Sequence, residues 1–119
     1  MFFKKLTGDK GESFACDILK KKGLVIVERN YRTKLGEIDI IALDGEVLVF
    51  VEVKTRSSRK FGEPQEAVNF RKQHTIRNVA MCYLKEKNLV DKISIRFDCL
   101  AILGTDERNF EAEHIENAF

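Results

Sequence analysis

Two apolar runs separated by a short turn sequence constrain the fold of this chain more than any other feature. Ile38–Leu43 and Val47–Val53 flank the dipeptide Asp44-Gly45. This dipeptide favours a two-residue type I′ hairpin, because both positions of that turn need a positive φ. The two runs are therefore predicted to be neighbouring antiparallel strands. The second run is almost continuously apolar, which is typical of a strand covered on both faces.

The rest of the sequence predicts an α-β-β-β-α-β order. Apolar spacing and chain-breaking residues predict helices over Thr7–Lys22 and from Pro64 to about Lys87, strands over Leu24–Arg32 and Ile93–Leu103, and a short edge strand at Phe110–Ile115. With 119 residues, 44% of them hydrophobic and 34% charged, the chain suits a single folded domain over 1–119. The expected class is α/β, with a mixed central sheet flanked by helices.

Charged residues interrupt the hairpin strands close to their ends. Pairing outward from an Asp44-Gly45 loop places Asp39 diagonal to Glu52, at roughly 7–8 Å between backbones. Side chains alternate along a strand, so one face is predicted to carry Glu37, Asp39, Glu52 and Lys54. A three-residue turn would instead rotate Asp39 to the other face. A strand that simply leaves the core could also carry such charges at a solvated end.

Carboxylates that share one sheet face need cations nearby, because they repel one another and lose hydration on burial. Mg²⁺ (or Mn²⁺) is commonly held by one or two carboxylates, with water and substrate phosphate in the remaining positions. Asp39 and Glu52 fit that description. Lys54 could then orient a nucleophile or stabilise charge that develops on a phosphate.

The segments Gly36–Asp39 and Val51–Lys54 resemble the catalytic pattern of the PD-(D/E)xK nuclease superfamily, and the element order resembles its restriction-endonuclease-like core. More narrowly, the chain is similar to the YraN-like family of uncharacterised bacterial proteins. That similarity spans almost the whole chain and is carried by Gly11-Glu12, Arg29–Arg32, Gly36–Asp39, Phe50–Arg56, Arg96–Asp98 and Asn117–Phe119.

The superfamily resemblance implies roles for individual residues. Asp39 and Glu52 are expected to bind the metal, Lys54 to be catalytic, and Glu12 on the first helix to supply a supporting carboxylate. The proline of the PD-(D/E)xK pattern is absent before Asp39, where this sequence has Ile38. The activity implied is metal-dependent hydrolysis of nucleic-acid phosphodiester bonds, with branched or structured DNA as one candidate substrate.

Basic and polar residues next to this pattern are candidate substrate contacts. The candidate phosphate-binding residues are Arg56, Arg59, Lys60 and Lys72, and the candidate supporting residues are Glu37 and Gln73. The same residues would also suit an ordinary solvated loop and the wet face of an amphipathic helix.

Two alternatives to an active nuclease are open on the sequence. One is a nucleic-acid-binding or assembly protein that keeps the fold without useful turnover. The other is a structural module whose hairpin charges are satisfied by Arg29 or Arg32. The net charge of +2 neither requires nor excludes a polyanionic partner. The complete set of Asp39, Glu52 and Lys54 favours the enzyme.

Further expectations concern partners and location. Nucleic acid, DNA first, is the expected partner, and a homodimer is one way for a small domain to grip a long substrate. No run reaches transmembrane length and no signal-peptide pattern opens the chain, so a cytoplasmic protein without membrane contact is expected. The three widely spaced cysteines predict reduced thiols rather than a metal cluster. Asp98 is expected to pair with an arginine or lysine and to fix the fourth strand.

Overall fold

A mixed five-stranded sheet with a helix against each face makes up the part of the chain that the structure describes. The structure is a computed structural model, and it describes residues 11–56, 68–104 and 111–119. The elements are α1 (Gly11–Lys21), β1 (Val25–Thr33), β2 (Gly36–Asp44), β3 (Val47–Arg56), α2 (Phe70–Glu86), β4 (Ser94–Leu103) and β5 (Glu111–Ile115). The expected mixed α/β class is confirmed at this level.

The strands lie in the order in which they occur along the chain, β1-β2-β3-β4-β5. β3 and β4 pair in parallel, and the other neighbours pair antiparallel. A parallel pair needs a crossover connection, and the segment that contains α2 supplies it. β3 is therefore the central strand, which explains its nearly unbroken apolar run.

Each sheet face has its own hydrophobic core. The core on the α2 side includes Ile38, Ile41, Leu48, Phe50, Ile76, Val79, Tyr83 and Phe97. The core on the α1 side includes Ala15, Leu19, Ile40, Ala42, Val49, Val51, Leu100 and Ile102. Covering both faces of β3 excludes water from the sheet centre, so charged side chains that project there lose most of their hydration.

The predicted turn of the central hairpin is wrong by one residue. Asp44 pairs with Val47, so the two loop residues are Gly45 and Glu46 rather than Asp44 and Gly45. Gly45 takes the positive φ, at 61°, in the first loop position, where a type II′ turn requires glycine. Asp44 stays in the ladder, where its carboxylate lies 3.0 Å from Arg96 Nη1.

The corrected turn moves the strand pairing by two residues in total, so from Ile40 to Asp44 the faces are conserved while the partners change. Ile40 pairs with Val51, so Asp39 and Glu52 are the next residues along the two strands rather than diagonal to each other as predicted. A shift of one residue would have turned every side chain over. The prediction that Asp39 and Glu52 approach each other therefore survives an incorrect turn. The prediction that Glu37 shares one regular face with Glu52 is wrong, because Ile38 and Ile40 lie in different cores.

Helix α2 begins later than the sequence pattern predicted. Pro64 lies outside the described residues, and Val68 and Asn69 precede the helix, which begins at Phe70. Asn69 caps it, because its side-chain oxygen accepts a hydrogen bond of 2.9 Å from the Lys72 N–H. The predicted start of the first helix at Thr7 also lies outside the described residues.

Strand β4 is fixed to the C-terminal residues by Asp98, which is fully buried. Arg96 donates two hydrogen bonds to its carboxylate, at 2.9 and 3.0 Å, and His114 and the Asn117 N–H complete the set. Burial would raise the pKa of Asp98, but these hydrogen bonds outweigh it and hold the pKa below its usual range. The expected arginine partner of Asp98 is confirmed.

No helix within the described ranges is long and apolar enough to span a membrane. No disulfide joins the three cysteines, all of which lie in the described ranges; Cys16 and Cys99 are buried and Cys82 is half-buried.

Candidate metal-binding site on the central hairpin

The candidate site begins where the backbone pairing of β2 with β3 ends. The last paired residues are Ile40 and Val51. Two residues beyond Val51, the Val53 N–H donates a hydrogen bond of 2.9 Å to Asp39 Oδ2 instead of to the backbone of β2. The carboxylate of Asp39 therefore lies between the two strands.

The side-chain alternation of β2 also breaks at Asp39. Ile38 belongs to the core on the α2 side, whereas Ile40, only two residues away, belongs to the core on the α1 side. Residues two apart in a regular strand share a face. The local change in strand geometry separates these neighbours and presents Asp39 at the point where β2 diverges from β3.

Asp39 titrates abnormally because of where it lies. Burial raises its pKa from 3.8 to about 7, and the negative charge of Glu52 acts in the same direction. The hydrogen bond from Val53 opposes the rise, while the charges of Glu12 and Glu37 add to it. Burial and neighbouring negative charge thus both disfavour the ionised form of Asp39, and a bound cation would offset both.

Glu52 is the most buried member of the cluster, with 5% of its surface exposed. Its Oε1 atom lies 3.4 Å from Lys54 Nζ and 3.7 Å from Lys72 Nζ. Lys54 follows Glu52 on the same strand, whereas Lys72 comes from the first turn of α2. The structure therefore brings together the predicted residues Glu52 and Lys54, and it adds Lys72 as a direct contact of Glu52.

Glu12 approaches the cluster from the first turn of α1. Its carboxylate lies 3.8 Å from Arg29 Nη2, and the same guanidinium donates a hydrogen bond of 3.4 Å to Ser13 Oγ. The Glu12 side chain is 14% exposed, and its charge contributes to the raised pKa of Asp39. Arg29 on β1 therefore fixes the position of Glu12, a contact between distant elements that the sequence reasoning did not foresee for this site.

The remaining candidates contribute less to the cluster. Glu37 pairs with Arg32 at 2.9 Å on the surface and affects Asp39 only through its charge. Gln73 donates a hydrogen bond of 2.8 Å to the carbonyl of Val68, two residues before α2, and so connects the first turn of the helix to that segment. Arg56 is the last residue of β3. Arg59 and Lys60 lie outside the described residues.

The donor set fits magnesium or manganese better than softer metals. Within residues 11–56, 68–104 and 111–119, no three His, Cys, Asp or Glu side chains are grouped closely enough to hold a metal ion. The available ligands are the carboxylate oxygens of Asp39 and Glu52. Two carboxylates with water and phosphate in the other positions are a usual magnesium shell, whereas a zinc site would use histidine or cysteine.

Comparison with known proteins places the chain in a family. The model of "Uncharacterised protein family UPF0102" matches residues 11–102, which include the whole hairpin and α2. The chain belongs to the UPF0102 family. A UPF0102 protein of Alkaliphilus oremlandii is 49% identical over 116 residues, covering 97% of this chain and 98% of the relative.

Other UPF0102 members show the same full-length correspondence. A protein of Clostridium botulinum is 48% identical over 113 residues, covering 94% of this chain and 92% of its own length. A protein of Desulforamulus reducens is 47% identical over 117 residues, covering 97% and 96%. The expected YraN-like family is thus confirmed, and UPF0102 membership extends across the elements that carry the candidate site.

Proposed function

We propose that this chain is a metal-dependent nuclease of the PD-(D/E)xK type, which hydrolyses phosphodiester bonds in nucleic acid. The observation that carries the proposal is the proximity of the Asp39 and Glu52 carboxylates at the point where β2 and β3 diverge. Burial and neighbouring carboxylates raise the pKa of Asp39 there, and Lys54 contacts Glu52 in the same place. Perturbed acids beside a lysine at a strand end are a common sign of a catalytic site.

The fold supports the same proposal. We take the described elements to be the restriction-endonuclease-like core expected from the sequence, because the hairpin β2-β3 carries both acids and α2 connects β3 to a parallel β4. Fold alone does not determine activity. The proposal therefore depends on the side chains at the hairpin rather than on the element order.

The charge distribution argues against a purely structural hairpin. That alternative required Arg29 or Arg32 to neutralise the charges, and both arginines do form ion pairs. Arg32 neutralises the hairpin residue Glu37, and Arg29 pairs with Glu12 on α1. Among the described residues, no ion pair reaches Asp39, whose pKa is raised by burial first and then by the charge of Glu52. A structural hairpin gains no stability from such a group.

Each residue of the site has a separate proposed role. Asp39 and Glu52 would hold Mg²⁺ or Mn²⁺, which supplies a bound water of lowered pKa and neutralises charge on the phosphate. Lys54 Nζ, held by Glu52, would orient the attacking water or donate to a phosphate oxygen. Glu12, held by Arg29, keeps negative charge beside Asp39 and strengthens its attraction for a cation.

Cleavage of a substrate panel tests the proposal. Single-stranded, duplex and four-way-junction DNAs and RNAs would be incubated with Mg²⁺, Mn²⁺ or EDTA. The variants would be Asp39→Asn and Lys54→Met. Glu46→Gln on the exposed turn of the same hairpin serves as the control for carboxylate loss, and Lys92→Met on an exposed loop serves as the control for lysine loss.

Metal-dependent cleavage that both site variants lose and both controls keep is the expected result, and the panel then identifies the substrate. Absence of cleavage by the folded wild-type protein, with nucleic-acid binding unchanged in the site variants, would refute the nuclease. It would favour the binding or assembly protein instead. Sedimentation of the same samples measures whether the protein dimerises on the substrate.

A further inference from the structure

The carboxylate of Glu52 is shared by two lysines that reach it from different elements. Lys54 Nζ lies 3.4 Å and Lys72 Nζ 3.7 Å from the same oxygen, Oε1. Glu52 is 5% exposed, but the side chains of Lys54 and Lys72 are 31% and 38% exposed. The buried acid is thus neutralised by cations that still have access to solvent.

The location of Lys72 is unfavourable for its own helix. It lies in the first turn of α2, which has no acidic residue. A cation there opposes the helix dipole, which favours negative charge at the N-terminus. Lys72 therefore gains nothing from the dipole, and among the described residues its ammonium group forms an ion pair with Glu52.

A divalent cation on Asp39 and Glu52 would change the balance of charges around Oε1. The ion would bring two positive charges to an acid that already has two ammonium groups within 4 Å. Like charges this close repel strongly, and the partly buried setting screens them less than bulk water does. One ammonium group must then withdraw from Glu52.

Lys72 is the group that is free to leave. Lys54 lies two residues from Glu52 on the same central strand, so both side chains project from one face of the sheet and the ammonium group stays within reach of the acid. Lys72 approaches from a separate element with a more exposed side chain. Its four-carbon stem allows the ammonium group to turn towards solvent without moving α2.

We propose that Lys72 exchanges partners during function: it neutralises Glu52 while the metal is absent, and it moves to a substrate phosphate when the metal binds. This inference rests on the proposed metal site and adds a role that the site alone does not assign. Lys72 thereby neutralises the charge of Glu52 until metal and substrate bind together. Lys72 then contacts nucleic acid in the metal-loaded protein only.

Metal affinity tests the first half of the exchange. Titration calorimetry with Mn²⁺ would compare the wild type with Lys72→Met, which keeps the apolar stem and removes the charge. Lys85→Met, the same substitution at an exposed position in the last turn of α2, is the matched control. Because Lys72 competes with the metal for Glu52, Lys72→Met should bind Mn²⁺ about three- to tenfold more tightly. Lys85→Met should bind it as the wild type does.

Salt dependence of nucleic-acid binding tests the second half. Affinity for an oligonucleotide of the class cleaved would be measured across salt concentrations in Ca²⁺, with cleavage checked to be absent, and again in EDTA. Each phosphate contact adds about 0.9 to the slope of log affinity against log salt on duplex DNA. Lys72→Met should lower the slope by about that amount in Ca²⁺ and leave it unchanged in EDTA.

The possible outcomes separate this inference from the function on which it rests. If the folded wild type binds no Mn²⁺, the metal site fails and the exchange fails with it. If the wild type binds Mn²⁺ but Lys72→Met binds it no more tightly than Lys85→Met does, the metal site stands and the exchange is refuted. An equal change of salt slope in Ca²⁺ and EDTA would also refute it, because Lys72 would then be an ordinary phosphate contact.

Discussion

Replacing Asp39 with asparagine should make the metal-free protein more stable at neutral and alkaline pH. The amide oxygen of asparagine can still accept the hydrogen bond that Val53 N–H donates to Asp39 Oδ2 at 2.9 Å. The negative charge, which the folded protein accommodates poorly beside Glu52, disappears. Asp39→Asn is therefore a nearly isosteric change that removes an electrostatic penalty.

The pKa of Asp39 sets the size and pH range of this effect. A tenfold change in proton affinity is worth about 1.4 kcal/mol, so a rise from 3.8 to about 7 sets a ceiling of ~4 kcal/mol. Because Asp39 is only half-buried, solvent screening lowers the expected gain to about 1–3 kcal/mol.

The direction of the pH dependence follows from whether the folded or the unfolded chain holds the proton of Asp39. Below pH 4 the carboxyl group is protonated in both folded and unfolded chains, and the penalty is absent. Between pH 4 and 7 the folded chain retains a proton that the unfolded chain has lost, so the wild type loses stability as pH rises. Above pH 7 both states are ionised and the full penalty applies.

Urea unfolding in EDTA at pH 4, 7 and 9 measures this difference, with Glu46→Gln as the control. The advantage of Asp39→Asn should be near zero at pH 4 and largest at pH 9. Added Mg²⁺ should stabilise the wild type by about 1.4 kcal/mol for each tenfold excess over its dissociation constant, and the variant much less. A variant that is no more stable than the wild type at pH 9, or a pH-independent difference, would refute the reasoning.

Three further predictions concern single side chains. Lys54→Met should lower metal-dependent cleavage by roughly 10²–10³-fold while metal affinity by calorimetry is not weakened, since it removes a positive charge next to the reacting phosphate and next to Glu52; unchanged turnover would exclude Lys54 from catalysis. Asp98→Asn should destabilise the protein by about 3 kcal/mol at pH 7 in urea, because Arg96 and His114 lose the fully buried carboxylate that they contact; the loss should shrink as pH falls through the lowered pKa of Asp98. Gly36→Ala should destabilise by about 1–3 kcal/mol, since Gly36 has φ 150° and a Cβ there would lie 2.7 Å from Thr75 Cγ2. Adding Thr75→Ser should recover only the steric part, and full recovery would contradict the backbone contribution.

The sequence was sufficient for those features that depend on local patterns. The apolar runs predicted every described strand, and the helical spacing predicted both helices. The hairpin turn could not be placed to the residue, because Asp44-Gly45 and Gly45-Glu46 both offer a glycine for positive φ. Arg96 decides between them by pairing with Asp44 across the sheet, and this partner lies far away in the sequence.

The candidate site shows the same limit. The period-two pattern placed Asp39 and Glu52 on approaching strands, but the contact of Arg29 with Glu12 and that of Lys72 with Glu52 join separate elements. Such contacts depend on how helices are positioned over the sheet, which no local pattern determines. Arg29 and Arg32 were candidates for neutralising the hairpin charges. Both form ion pairs, with Glu12 and Glu37, but among the described residues neither contacts Asp39.

The break in strand alternation at Asp39 links stability to the proposed function. A regular β2 would keep Ile38 and Ile40 on one face and continue its ladder to Val53. The chain instead divides these isoleucines between two cores and gives the Val53 N–H to a carboxylate whose pKa is raised. Local departures from consistent folding rules concentrate at functional sites. The increase in stability expected for Asp39→Asn and the metal affinity expected of the wild type are therefore two measurements of one uncompensated charge.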